Sequence, residues 1–371
     1  MVSFAKKLLI TLTVAAYGPL MAGAAQAEQV QVMASGLDHP WSIAFLPAGD
    51  VLVTERAGRL WRLGTGGQKR AIAGVPAVRA QSQGGLFDVV LHPKFADNGL
   101  IYLSYAAGEE GANFTRVTRA RLDGDRLVEA KVIFQVSPAK DTPVHFGGRM
   151  AFLPDGSLVL TTGDGFDYRE QAQRLQSGLG KIMRMADDGR PLAGNPFANE
   201  RGGKAGAQPH IWSYGHRNPQ GLAVDAVTGW LWEHEHGPRG GDELNLIQKG
   251  GNYGWPVATR GLDYSGATIS PFQTYKGMID GRAVWVPSIA PSGLAVYRGA
   301  LWPQWQGDLI IGALVNKEVR RLDVDAAGRV VGQSRIFPKI SARIRDVRVA
   351  PDGAVWLTTD EDAGKVLRVT P

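Results

Sequence analysis

Residues 149–160 read Arg149-Met-Ala-Phe-Leu-Pro-Asp-Gly-Ser-Leu-Val-Leu160: an apolar run, a Pro-Asp-Gly turn, and a second apolar run. Each part has a physical sense. Alternating β-formers make strands, proline presets φ early in the turn, and glycine takes the positive φ that follows. The same unit recurs along the chain. It appears as Trp41 to Val53, Leu86 to Pro93, Gly221 to Asp225, Gly293 to Tyr297 with Gly307 to Ile311, and Val347 to Leu357. With the opening stretch, six copies are present. Repeats of one supersecondary unit mark a repeat architecture. The expected fold is all-β, a six-bladed β-propeller of four-stranded antiparallel blades. A seven-bladed ring and a pair of β-sandwiches are the alternatives. Helical periodicity is nearly absent; residues 170–185 read as the one short helix. Residues 165–215 and 255–290 read as long loops, which in a compact domain are often functional.

The N-terminus carries a different signal. Lys6 and Lys7 precede an apolar stretch that ends in Ala25-Gln26-Ala27, a small-x-small cleavage pattern. Residues 1–27 are expected to be a signal peptide, and residues 28–371 a single propeller domain, periplasmic or secreted. No later stretch has the run of about 18 apolar residues of a membrane helix, so no integral membrane segment is expected after processing. The chain has no cysteine. That excludes thiol nucleophiles, Cys-ligated zinc and the C-x-x-C-H haem attachment. The formal charge is +6, and the loss of Lys6 and Lys7 leaves +4 on residues 28–371. The basic residues are scattered singly, without the stripe that a nucleic-acid groove requires, so no nucleic-acid partner is expected.

Polar clusters lie beside the repeats. His145-Phe-Gly-Gly-Arg149 precedes one hairpin, and Gly163-Asp164-Gly165 follows it. A carboxylate beside an imidazole makes a general-base pair; the same residues also read as a structural histidine and a turn aspartate. Gly215-His-Arg217-Asn218-Pro-Gln-Gly221 offers a planar fork and an amide for an anion, or is a turn with its arginine in solvent. His234-Glu-His-Gly237-Pro238-Arg-Gly-Gly-Asp242-Glu243 leads to Asn252-Tyr253-Gly-Trp-Pro. Its histidines share a strand face, which admits zinc, but the acid- and glycine-rich remainder suits calcium better. It is otherwise a solvated turn. Arg343 and Arg345 share a strand face and ask for an anionic ligand. Gln83-Gly-Gly-Leu86 and the Asn316-Lys317 turn complete the set. There is no nucleophile elbow, P-loop or dinucleotide fingerprint.

Taken in order, these strings resemble the soluble quinoprotein glucose dehydrogenases and the related PQQ-dependent aldose sugar dehydrogenases. The strings are Gln83-Gly-Gly-Leu, His92-Pro, His145-x-Gly-Gly-Arg, Gly215-His-Arg-Asn-Pro-Gln-Gly-Leu, Glu235-His-Gly-Pro-Arg-Gly-Gly-Asp-Glu-Leu-Asn, Asn252-Tyr-Gly-Trp-Pro and Arg343-Ile-Arg-Asp-Val. The resemblance implies PQQ over one mouth of the channel. PQQ would face Gln83, Arg217, Asn218, Arg343 and Arg345, with Tyr264, Asn316 and Lys317 lining its pocket. His145 would be the base, Asp164 its acid partner and Arg217 the catalytic cation. One Ca2+ would bind PQQ through the carbonyls of Gly237 and Pro238. A second, structural Ca2+ would use Glu243 and Tyr253. The lysine of the Asn316-Lys317 turn departs from the glucose-dehydrogenase pattern, and Gly165-Phe-Asp-Tyr168 looks more like the aldose branch.

The implied reaction is oxidation of an aldose at C1 to a lactone, by hydride transfer to calcium-bound PQQ, with electrons passed to an external acceptor. The protein would be a monomer or homodimer. Two other readings compete: a calcium-dependent lactonase on a similar scaffold, and a non-catalytic binding module. Neither calls for paired arginines facing a tricarboxylate.

Overall fold

A computed structural model of the chain describes Met1, residues 28–198 and residues 206–371. Apart from Met1, the expected signal peptide over residues 1–27 lies outside the described residues. The rest forms six four-stranded antiparallel sheets around an axis, as the repeats imply. Blade 1 comprises Pro40–Phe45, Val51–Glu55, Arg59–Leu63 and Lys69–Ala71. Blade 2 comprises Leu86–Leu91, Leu100–Glu109, Ala112–Asp123 and Arg126–Gln135. Blade 3 is Gly147–Phe152, Leu158–Thr162, Lys181–Met185 and Ile211–Tyr214. Blade 4 is Pro219–Val224, Leu231–Glu235, Asp242–Leu246 and Ala283–Trp285. Blade 5 is Pro291–Val296, Leu309–Ala313, Glu318–Val324 and Val330–Ile336. Blade 6 takes Ile344–Val349, Val355–Thr359 and Gly364–Thr370 from the C-terminal end, and its outermost strand, Gln29–Leu37, from the N-terminal end.

The sequence repeat is the inner hairpin of each blade. Its turn works as the residue types dictate. In blade 3, Gly156 (φ 80) closes a bond to the Leu153 carbonyl at 2.9 Å, and Asp155 accepts the Ser157 N–H at 3.0 Å. In blade 6, Gly353 and Asp352 repeat both contacts. Apolar residues from adjoining blades interleave between the sheets. Leu158, Leu160 and Met183 of blade 3 meet Tyr102 and Val117 of blade 2.

The first strands of the blades line the axis, and an ion network fastens four of them. Arg149 of blade 3 is buried 2.8 Å from Asp346 of blade 6, with its guanidinium over the Trp41 ring of blade 1. Arg348 of blade 6 bonds Asp88 of blade 2 at 2.8 Å and Asp346 at 2.9 Å. Asp88 also accepts from Ser42, and Asp346 from the Ile43 amide. Buried charges are tolerated only when paired and hydrogen-bonded in this way. The channel is therefore plugged beneath the mouth where the loops gather.

Two expectations need correction. Residues 170–185 are not a helix: Arg169–Gln173 forms a short 3-10 turn, and Lys181–Met185 is a strand. Buried Ala172, Leu175 and Leu179 do recur at helical spacing, but Gly178 and Gly180 flank Leu179, and Gly180 sits at φ 67, outside helical space. The stretch 165–215 is likewise less of a loop than expected, since it holds the last two strands of blade 3.

Candidate functional site

His145 and Asp164 flank the inner hairpin of blade 3, so the hairpin returns them to each other. His145 Nδ1 lies 2.7 Å from Asp164 Oδ1. The close approach depends on a glycine: a Cβ on Gly163 would sit 2.2 Å from the His145 carbonyl oxygen. His145 itself is held at φ 53, a left-handed conformation that a histidine adopts at some cost. The Gln83 side chain steadies it by accepting the His145 N–H at 2.9 Å. Burial pulls the His145 pKa down, and the bond to Asp164 partly opposes this. The neutral imidazole is thus favoured. With Asp164 accepting at Nδ1–H, Nε2 is left as a proton acceptor.

Arg217 is anchored by its fork. Its Nη1 donates to the carbonyls of Gly237 at 2.7 Å and His236 at 3.0 Å, and its Nη2 lies 3.5 Å from the Tyr264 hydroxyl. Glu235 accepts the backbone N–H of both Arg217 and Asn218. The Asn218 side chain accepts from the Gly147 N–H at 3.3 Å.

Two cavities open beside the pair. One, of about 270 Å³, sits over the plugged channel. Gln83, Phe146, Gly147, Asn218, Arg343 and Arg345 are in its wall. Arg343 and Arg345 share Asp360, at 3.2 and 2.7 Å; Arg56 adds a third guanidinium to the wall. The wall is therefore net cationic. The second cavity, of about 290 Å³, is lined by Phe166, Arg169, Arg217, Pro238, Trp255 and Tyr264, among others. Phe166 meets the His145 ring edge-on at 5.1 Å and stacks on Tyr264 at 6.1 Å.

Beneath Arg217, Glu235, Gly237, Glu243, Tyr253 and Thr259 surround a small void. Burial, reinforced by Glu235, pushes the Glu243 carboxyl up to about 8. Burial and Glu235 also raise Glu233 well above its usual range. Crowded carboxyls and carbonyls, with no sulfur, form the hard-oxygen donor set that suits calcium. His234 does not line the void, and His236, which does, turns its Nε2 away to the Pro291 carbonyl. Burial pushes them down to about 3 and about 4, and they point to the Gly293 and Pro291 carbonyls.

The residues singled out in the sequence fall on three cavities: Gln83, Asn218, Arg343 and Arg345 on the first, Arg217, Pro238 and Tyr264 on the second, and Gly237, Glu243 and Tyr253 on the void beneath Arg217. The Asn316-Lys317 turn enters the cavity wall only through its predecessors Leu314 and Val315. The Asn316 amide instead faces Glu318 at 3.3 Å. Sequence reasoning missed Asp360, Trp255 and two buried lysines, Lys140 and Lys181. Burial pushes both lysines down to about 7, against the pull of Asp164. Lys181 Nζ caps the 3-10 turn by donating to the carbonyls of Gln171, Ala172 and Leu179.

Comparison with known proteins places this arrangement. The family model described as glucose/sorbosone dehydrogenase matches residues 37–368. The chain is 43% identical to the aldose sugar dehydrogenase YliI of Escherichia coli strain K12 over 350 residues, 92% of each chain. It superimposes on the crystal structure of the apo soluble aldose sugar dehydrogenase of E. coli with a TM-score of 0.88 at 41% identity, covering 93% of this chain and 100% of that one. The PQQ-bound aldose sugar dehydrogenase of Streptomyces coelicolor gives a TM-score of 0.73 at 30% identity, covering 92% and 98%.

Proposed function

The chain belongs to the glucose/sorbosone dehydrogenase family, and from that premise we propose that it is a PQQ-dependent aldose sugar dehydrogenase. It would oxidise aldoses at C1 to lactones and pass the electrons to an external acceptor. The observation that carries the reading is the His145–Asp164 hydrogen bond, formed next to Phe146 and Gly147 in the wall of a cavity that also holds Arg343 and Arg345. A base and an anion cradle side by side suit proton removal from a sugar beside a tricarboxylate oxidant. The export signal expected at residues 1–27 would have PQQ and calcium acquired outside the cytoplasm.

When bound, PQQ supplies the two-electron oxidant and calcium a Lewis acid. The chain's own groups do the rest. His145 Nε2 takes the proton of the anomeric hydroxyl, while Asp164 holds Nδ1–H and stabilises the imidazolium that forms. Arg217 would face the reacting centre as a positive charge oriented by the His236 carbonyl, its bond to the Gly237 carbonyl giving way where that oxygen takes the calcium. Arg343, Arg345 and Asn218 would hold the anionic cofactor. The carbonyls of Gly237 and Pro238 would hold the cofactor's calcium, and Glu243 with Tyr253 a second one. Tyr264 closes the cavity beside Arg217.

The test is reconstitution with PQQ and calcium, followed by dye reduction across a panel of aldoses with product analysis. Lactone formation that depends on PQQ is expected. No PQQ-dependent turnover and no change in quinone absorbance would sink the reading; lactone hydrolysis without PQQ would favour a hydrolase instead.

Calcium at Glu243 has its own signature. In the folded protein without calcium, burial and Glu235 push the Glu243 carboxyl up to about 8, far above its ordinary range. A raised folded pKa gives stability that is present below about 4.5 and lost as pH rises through about 8. In EDTA, Glu243→Gln is expected to gain thermal midpoint on wild type, by about a few °C, between about pH 5 and about pH 9. With calcium at about pH 8, the order is expected to reverse. Equal calcium stabilisation of both proteins would remove Glu243 from the ligand set.

A further inference from the structure

Asp164 is fully buried, and its bonds are divided unevenly between its two oxygens. Oδ1 faces His145 Nδ1 at 2.7 Å and accepts the Phe166 N–H at 2.8 Å. Oδ2 accepts the indole N–H of Trp255 at 2.7 Å. The Asp164 backbone is tied as well, its N–H donating to the Arg217 carbonyl at 2.7 Å. A carboxylate on a single Cβ–Cγ bond rotates unless both oxygens are held. Trp255 holds the oxygen that His145 does not use.

Trp255 is itself fixed from several sides. Its N–H donates to the Gly215 carbonyl at 2.9 Å. Its carbonyl accepts from Gln173 at 2.7 Å, and Gln173 exchanges two further bonds with Asn252. The ring face lies 5.3 Å from the Arg217 guanidinium. One indole thus touches both the acid of the base pair and the arginine beside it.

We propose that Trp255 is a positioning residue for proton transfer: its indole N–H sets the rotation of the Asp164 carboxylate, and through it the tautomer and direction of the His145 imidazole. This rests on His145 acting as the base. Tryptophan is suited to the task because its N–H donates and never accepts, so it cannot compete with His145 for the role of acceptor. Without it, Oδ2 is a buried oxygen stripped of this donor, and the carboxylate is held through Oδ1 alone, so its rotation about Cβ–Cγ is less restrained.

Trp255→Phe keeps a ring against Arg217 and removes the donor. In the reconstituted enzyme, kcat is expected to fall roughly tenfold to hundredfold, with KM and PQQ affinity changed less than about twofold. In an Asp164→Ala background the same substitution is expected to cost less than about twofold, because its target is gone. In the cofactor-free protein, the downfield Nδ1–H proton resonance of His145 is expected to move upfield in Trp255→Phe. Should phenylalanine impair folding, 3-benzothienylalanine at position 255 keeps the bicyclic shape and replaces the N–H with sulfur; the same losses are expected. An unshifted Nδ1–H resonance overturns the proposal whatever the activity. So does an undiminished loss in the Asp164→Ala background. If wild type shows no PQQ-dependent turnover, the dehydrogenase reading fails by itself, and the resonance alone decides the role of Trp255.

Discussion

His145→Ala is expected to lower kcat by roughly 10²- to 10⁴-fold, the range a positioned general base contributes. PQQ affinity should change little, because the imidazole faces the substrate proton and the arginines hold the anion. Two features make the effect large. Burial pulls the His145 pKa down, against the opposing bond to Asp164, which favours the neutral imidazole that a base must be. Asp164 then stabilises the imidazolium as it forms, inside a site where charge interactions are strong. Stopped-flow reduction of the loaded enzyme separates the chemical step from binding, and fluorescence titration with PQQ checks that the cofactor still binds. Unchanged kcat would refute the base assignment. His145→Gln is expected to do no better than alanine, since an amide occupies the space but takes no proton.

The second large effect concerns the cofactor. Arg343→Met with Arg345→Met is expected to weaken PQQ binding by roughly 10²- to 10⁴-fold, taking each charge-assisted carboxylate contact at its usual worth. The two arginines share Asp360, so their losses are coupled. With both gone, Asp360 loses its two ion-pair partners and stands as an anion in the wall of the same cavity, with only Arg56 left as a cation there, and it repels the carboxylates. Adding Asp360→Asn to the double variant is therefore expected to restore part of the affinity. The three proteins are compared by titration at fixed ionic strength. PQQ binding within about threefold of wild type in the double variant would remove the arginines from the site.

The repeat was legible because each copy is local. A strand, a Pro-Asp-Gly turn and a second strand carry their geometry within about a dozen residues, and six copies point to one ring. His145 and Asp164 were legible for the same reason: one hairpin separates them, and hairpins return their ends. Trp255 was not. Its bond to Asp164 spans 91 positions, and in sequence it reads as an ordinary aromatic beside a proline. Asp88, Arg149 and Asp346 are equally silent, because a buried ion network exists only once separate blades meet. Asn316 and Lys317 were expected in the pocket because the family resemblance put their turn there. Which side of a turn faces the cavity depends on where its amide finds a partner, and Asn316 finds Glu318.

The outer strand of blade 6 comes from the opposite end of the chain to its three neighbours. Gln29 pairs with Thr370, and Leu37 with Gly364. The seam of the ring is thus a contact of nearly maximal sequence separation. Loop-closure entropy grows only slowly with length, by about 0.6 kcal/mol per doubling, so such a seam is a modest burden at equilibrium. Its burden falls on time, because long-range strand pairing is intrinsically slow. Blades 1 to 5 are each contiguous in sequence, but the sixth sheet is complete only when Gly364–Thr370 meets Gln29–Leu37. Until then the free edge of Gly364–Thr370 is exposed to any other strand, including that of a second unfinished copy.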